Sequence, residues 1–414
     1  MQRKRFFAIL GAAALIVLMT VTLVSSAGAV KFRTLYRFGP DWKIAANPYA
    51  GVISDAAGNV YGATSRGGVN NLGTIFELTP TPKGLWTMKV LYEFAGSDGA
   101  GPADVIFDAA GNLYGITRGG GAFGLGTVFE LMPNPDSSWS ETVLYSFAGG
   151  SDTAAPLALS FDQAGNLYGT GQGGAYNLGT VFQLTPNLDG TWSETVIYTF
   201  AGGKNGAAPD GKMAFDSAGN LYGIATVSYG RRGKHRSGTV FRLTPNPDGT
   251  WTEKTLHIFL GGRDGASPMG GLVWDAAGRL YGATGGGGDH GTGTIFMLKQ
   301  TPDGRWAERV IHSFGAVDEW PSNAPVFNAD GNLYGATSAG GGCYRCGTIY
   351  RLRPNPDKTW KISTVHTFTG RDGWVPHANL TRDIAGNLFG TTPQGGRKRQ
   401  GGNDGYGVVF RITP

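Results

Sequence analysis

Apolar residues fall along this chain in short runs rich in Val, Ile, Leu, Tyr and Phe, separated by Gly, Asn, Asp and Pro, and no helical stripe runs through them. That is strand and hairpin chemistry. The runs also repeat. The segment Asp55-Ala-Ala-Gly58-Asn59-Val60-Tyr61-Gly62 recurs around Tyr114, Tyr168, Tyr222, Tyr281, Tyr334 and Phe389, at intervals of 53 to 59 residues. A second run follows each copy, Gly73-Thr-Ile-Phe-Glu-Leu-Thr-Pro80 in the first. A turn and a Trp then lead into a third run, as in Trp139 to Phe147, and a fourth ends at each Asp, as in Pro268 to Asp275.

Four strands repeated seven times predict an all-β, seven-bladed β-propeller with four-stranded blades. We label the run from Pro to Asp the inner strand A, Asn-Leu-Tyr-Gly strand B, Gly-Thr-Val-Phe strand C and the Trp-led run the outer strand D. Asp and Gly suit the A–B turn, Gly supplying positive φ and Asp binding nearby backbone. The Trp after the C–D turn is placed to cover its own hairpin. The chain opens on a D-type run, Thr34 to Phe38, and stops after a C-type run ending at Pro414. Pairing of this N-terminal strand with the last blade would close the ring and remove its open edges.

Composition changes this picture little: 70 Gly and 21 Pro in 414 residues fit a turn-rich chain, and 48 aromatics supply a core. Charge adds more. The net charge is +5, but Arg3, Lys4 and Arg5 sit in an N-terminal segment without acids, and residues 30–414 carry only +2. A nucleic-acid partner, which calls for a basic stripe, is not expected. The uncharged run Phe6 to Val24, followed by Ala27-Gly28-Ala29, reads as a secretory signal peptide over residues 1–29. Its 19 residues exceed an ordinary signal core and approach the ~20 that span a bilayer, so an uncleaved membrane anchor is the alternative. Residues 30–414 form one domain, expected to be monomeric and secreted, periplasmic or at the cell surface. Cys343 and Cys346 are the two cysteines. In an exported loop they predict a local disulfide, and they cannot complete a zinc site on their own.

Gly-Asn-Leu-Tyr-Gly, a Gly-rich loop, then Gly-Thr-Val-Phe-x-Leu-Thr-Pro resembles the GloVer tandem-repeat family of exported bacterial proteins, over all seven units from about residue 31 to 414. The resemblance implies an extracytoplasmic location, often with a C-terminal sorting anchor, and no established activity. This chain departs from that pattern by ending inside its last strand. The C–D turn also looks like the Asp-box of sialidase propellers, but Asp248 and Asp303 stand where that box wants Gly, and no sialidase catalytic set maps onto the chain.

Residues that obey a repeat are structural candidates, and those that break it on one face are functional ones. This rule assigns Asp55, Asp108, Asp162, Asp216, Asp275 and Asp383 to a turn. It makes His257, His312 and His366 packed aromatics in a Tyr slot, and it assigns Asp98, Asp264 and Asp372 to D–A turns. Just after the Pro of strand A, Tyr49, Asp104, Asp210, Asn323, His377 and Asn379 break the pattern. They would collect at the mouth of a central channel. The B–C loops add Tyr229, Arg231, Arg232, His235, Arg236, Tyr344, Arg345 and Arg397, a cationic, aromatic-edged set suited to carboxylate or sulfate groups.

The chain carries no nucleophile motif, phosphate loop or cofactor fingerprint, so neither a cofactor nor a metal is expected. The first expectation is a non-catalytic binder of a polysaccharide or envelope protein. The rival is a carbohydrate-active hydrolase or lyase using Asp104, Asp210 and His377 as acid–base groups. A purely structural envelope component is the third reading.

Overall fold

The computed structural model describes residues 30–39, 41, 43–229, 235–315, 318–342, 346–377, 379–397 and 405–414. It is all-β, built of repeated antiparallel sheets in the order A-B-C-D, as in Ala100–Phe107, Leu113–Gly119, Thr127–Pro133 and Trp139–Ser146. The proposed leader and anchor segment lies outside the described residues, among which no helix is long and apolar enough to cross a membrane.

Packing explains the repeated motif residue by residue. Gly115 pairs across to Phe129, and a Cβ on it would come within 2.3 Å of the Phe129 ring, so strand B needs Gly where strand C lays its Phe over the sheet. Beside it the buried hydroxyls of Thr117 and Thr127 hydrogen-bond at 2.8 Å, as do those of Thr64 and Thr74. At the A–B turn, Asp108 accepts from the backbone N–H groups of Ala110 and Asn112, each at 2.8 Å, as the Asx-turn reading requires. Hydrophobic clusters form between successive sheets: Tyr114, Ile116, Val128 and Phe147 of the second meet Leu159, Leu167, Phe182 and Leu184 of the third.

Trp corrects one expectation. Trp139 does not cover its own hairpin; it packs edge-on against Tyr61 of the preceding sheet, and Trp192 does the same to Tyr114. The outermost strand looks sideways into the gap between sheets, where a large ring buries more surface than it would over an exposed turn. His257, His312 and His366 do occupy the Tyr slot, with ring centroids 4.7–4.9 Å from Phe259, Phe314 and Phe368.

Successive sheets are joined by a repeated contact. The Pro of each strand A sits over the Gly opening strand C of the sheet before it, Pro102 over Gly73 and Pro156 over Gly126, leaving no room for a Cβ. The residue before that Pro turns to positive φ in every repeat: Asn47, Gly101, Ala155, Ala208, Ser267, Trp320 and Val375, at 43–63°. This turn lets Ala155 N–H donate to Leu125 O at 2.8 Å, and Ala208 N–H to Leu178 O at 2.8 Å. The last and first repeats meet in the same way, with Pro48 over Gly407 and Asn47 N–H donating to Tyr406 O at 2.9 Å. Lys31–Arg37 pairs antiparallel with Val408–Thr413 as the outer strand of the last sheet.

The inner strands are less regular than the sequence predicts. Strand A begins before its Pro, at Ala100, Thr153, Ala207 and Ala266, and its pairing shifts register just after the Pro. In the first and last repeats it shrinks to Val52–Ser54 and Thr381–Arg382. In the sixth it splits into Asp318–Pro321 and Val326–Phe327. The positive-φ turn breaks the ladder, and the freed residues turn toward the centre.

A consequence at the outer rim can be measured. Glu141 sits beside Asp98, Glu194 beside Asp152 and Glu308 beside Asp264, and burial, then the neighbouring carboxylate, pushes each Glu up to about 7. In the fourth repeat the Asp is replaced by Asn205, whose amide donates to Glu253 at 2.7 Å. A raised folded pKa gives stability that is complete below the unfolded value of 4.5 and lost as pH rises through about 7. We expect Tm to fall by a few degrees across that window. The triple variant Glu141→Gln, Glu194→Gln, Glu308→Gln should lose most of that slope, Glu253, also raised by burial, keeping the remainder, as calorimetry across pH would read.

Candidate functional site

The register breaks after the Pro residues open a central cavity of about 340 Å³. All six residues expected at the channel mouth line it: Tyr49, Asp104, Asp210, Asn323, His377 and Asn379. Here the inner strands Ala207–Phe215 and Ala266–Trp274 touch directly, Lys212 pairing in parallel with Gly271. A Cβ on Gly211, at φ 72°, would meet the carbonyl carbon of Gly270 at 2.3 Å, so only Gly allows this approach.

The two carboxylates are engaged by protein partners. Asp104 is buried, and its Oδ2 accepts from Leu159 N–H at 3.1 Å and from Lys212 Nζ at 3.1 Å. Asp210 accepts from Gly270 N–H at 2.9 Å. Asn323 donates to His377 O, and Asn379 donates to Gly270 O at 3.3 Å while its own Oδ1 is buried with no hydrogen-bond partner. The Tyr49 and His377 rings stack at 6.1 Å and 29°. Desolvation by the surrounding cavity wall lowers the His377 imidazole from its usual value, although part of the residue stays exposed.

Tyr49 and His377 also line a second cavity of about 320 Å³, whose other walls include Trp320, Ser338, Val375 and Gln394. Arg118 and Lys212 of the first cavity, and Trp320 and Gln394 of the second, are lining residues that sequence reasoning missed. Lys212 and Trp320 each break the repeat within two residues of a candidate or of the recurring strand-A Pro, and that signal could have found them.

Of the cationic loop set, Arg397 alone has a described side chain. Arg231, Arg232, Tyr344, Arg345 and Cys343 lie outside the described residues. Ser228 and Tyr229 pair in register with Arg236 and His235, which makes this B–C loop a hairpin extension. Arg397 is exposed beside Gly39, with Tyr36 of the outer strand in its field, and lines neither cavity. Cys346 is held in a disulfide. Among the described residues, no group of three or more His, Cys, Asp or Glu could hold a metal ion.

The Gloeobacter/Verrucomicrobia repeat model matches residues 19–231, 136–319 and 226–414 in overlapping stretches. The chain belongs to this family. Each match to the Gloeobacter/Verrucomicrobia repeat runs over several successive sheets and the joints between them. No protein of curated function matches the chain. Among solved structures, polysaccharide lyase Uly1 is similar at 10% identity and TM-score 0.52, covering 92% of each chain. A chain of the mitotic checkpoint complex is similar at 11% identity and TM-score 0.50, covering 100% of this chain and 99% of that one. A gluconolactonase from Xanthomonas campestris is similar at 14% identity and TM-score 0.44, covering 93% and 90%. Likenesses this distant speak to a propeller-like fold alone.

Proposed function

We propose that this repeat protein is an exported seven-bladed β-propeller, closed by Lys31–Arg37, that binds an extracellular or envelope ligand, a glycan or a protein, on its loop face without catalysis. Closure is supported by the strand pairing and the Pro48–Gly407 contact between the first and last repeats. Export is supported by the basic, apolar and small-residue order of residues 1–29. The observation that carries the binding reading is the central cavity itself. The residues that break the repeat converge there, and both carboxylates are held by N–H donors or Lys212, as suits a fixed polar surface.

One observation favours the rival hydrolase or lyase: Asp104, Asp210 and His377 line the same cavity. A polysaccharide lyase with this architecture keeps polysaccharide among the ligand chemistries. The two readings separate in one screen, in which the protein is tested for thermal shift and product release against neutral and acidic polysaccharides. We expect stabilisation by at least one of them with no products released. We also expect Asp104→Asn, which breaks the Lys212 pair, to weaken that stabilisation several-fold. Oligosaccharide release abolished by Asp210→Asn would replace the binding reading with the enzymatic one.

A further inference from the structure

The position before each strand-A Pro is held at positive φ because its N–H must reach back to the previous sheet while the Pro seats over a Gly. Five repeats fill it with Asn, Gly, Ala, Ala and Ser, small residues or ones tolerant of this backbone. Two adjacent repeats fill it with Trp320, at φ 56°, and Val375, at φ 52°. Bulky and β-branched side chains are strained there, and the strain marks a position held for another purpose. Burial does not offset it for Trp320, which stays 40% exposed. Both residues instead wall the cavity of about 320 Å³, together with Tyr49, itself 46% exposed.

The polar groups of this cavity are neutral ones. Ser338, His377 and Gln394 line it, and no Asp, Glu, Lys or Arg is among its described lining residues. Gln394 Oε1 is buried without a hydrogen-bond partner, while the Gln394 backbone is fixed by Trp374 N–H at 2.9 Å. An apolar aromatic face flanked by uncharged donors and acceptors fits a ring with C–H groups on one face and hydroxyls at its edge. A carboxylate or sulfate there would be partly desolvated, with no Lys or Arg among the described lining residues to pair with it. The volume, at the lower end of the ~300–1,000 Å³ usual for small-molecule sites, suits one sugar unit and its linkage.

We infer that the cavity between Trp320 and Tyr49 is a subsite for a neutral pyranose unit of a glycan, with the ring on the aromatic faces and its hydroxyls on Ser338, His377 and Gln394. This rests on the loop-face binding reading and names its ligand class. The test is calorimetric titration of the protein with laminaritetraose, cellotetraose, mannotetraose and, as the acidic comparator, tetragalacturonate. At least one neutral tetrasaccharide should bind, and tetragalacturonate should not. Trp320→Gly, which relaxes the backbone, should lower that affinity at least tenfold with Tm unchanged or raised, and Trp320→Phe should retain part of it. Tyr49→Ala, on an exposed side chain, should lower it several-fold and reads the opposite wall should Trp320→Gly melt lower. Neutral binding that survives both Trp320→Gly and Tyr49→Ala overturns the subsite and leaves the loop-face reading standing, as does preferential binding of tetragalacturonate. Failure of all four oligosaccharides, with no thermal shift by any polysaccharide, overturns both.

Discussion

Deletion of Lys31–Arg37 is expected to yield a protein that oligomerises or precipitates in place of a stable monomer. The strand covers Val408–Thr413 from Lys31 opposite Thr413 to Arg37 opposite Val408. Without it, Val-Val-Phe-Arg-Ile-Thr becomes a long, mostly apolar edge, the kind that recruits another strand. Core is lost as well. Leu35 is buried, Tyr36 meets the buried Phe38 ring edge-on at 5.1 Å, and Phe32 stacks on His366 at 3.5 Å and meets Phe368 and Phe410. Each large buried side chain removed costs about 2–5 kcal/mol, and two or three such losses consume most of the ~5–15 kcal/mol that stabilises a domain. Light scattering after size exclusion reads the oligomers, and denaturant unfolding reads the lost cooperativity. A monomer that unfolds in a single transition near the parent midpoint would refute closure by this strand.

The fold was legible because the sequence states the same unit again and again, so that Gly, Phe, Thr and Asp each show their role in several copies. The candidate site was legible for the same reason: Tyr49, Asp104, Asp210, Asn323, His377 and Asn379 depart from the pattern within three residues after the strand-A Pro, and the structure brings them to one cavity. What the pattern does not carry is the partner across a repeat boundary. Periodicity shows that Trp139 is aromatic in a D strand, not that its ring leans on Tyr61 of the sheet before. It shows Asp104 as an outlier, not that Lys212, two repeats on, neutralises it. It shows Arg397 in a B–C loop, not that its side chain lies beside Gly39 and Tyr36 at the start of the chain. The strain at Trp320 was hidden too, because a positive φ in a residue before Pro has no sequence signal beyond the small residues of the other copies.

The contact that joins the sheets sets the second large effect. Gly126→Ala should destabilise the protein by about 3–5 kcal/mol, whereas Gly111→Ala should cost only about 1–2 kcal/mol. Both glycines lie at positive φ, 103° and 91°, so both variants pay the same backbone strain. They differ in space. A Cβ on Gly111 meets nothing within 4 Å, but on Gly126 it would lie 2.3 Å from Thr117 O and 2.7 Å from Pro156 Cδ, pushing the next sheet off its seat. The difference between the two, read by urea unfolding, therefore isolates the joint from the turn. Gly407→Ala extends the comparison to the meeting of the last and first repeats, where the same Cβ would meet Thr392 O at 2.4 Å and Pro48 Cδ at 2.6 Å. Gly407 precedes the strand whose outer neighbour, Lys31–Arg37, comes from the far end of the chain and is joined to it by pairing and packing without a connecting turn. Equal costs at Gly126 and Gly407 mean that this junction is as firm as a hairpin and the last sheet unfolds together with the rest. A smaller cost at Gly407 with a reduced denaturant slope would mean that the last sheet opens before the rest, because a joint already released in the denaturing step can no longer register a clash.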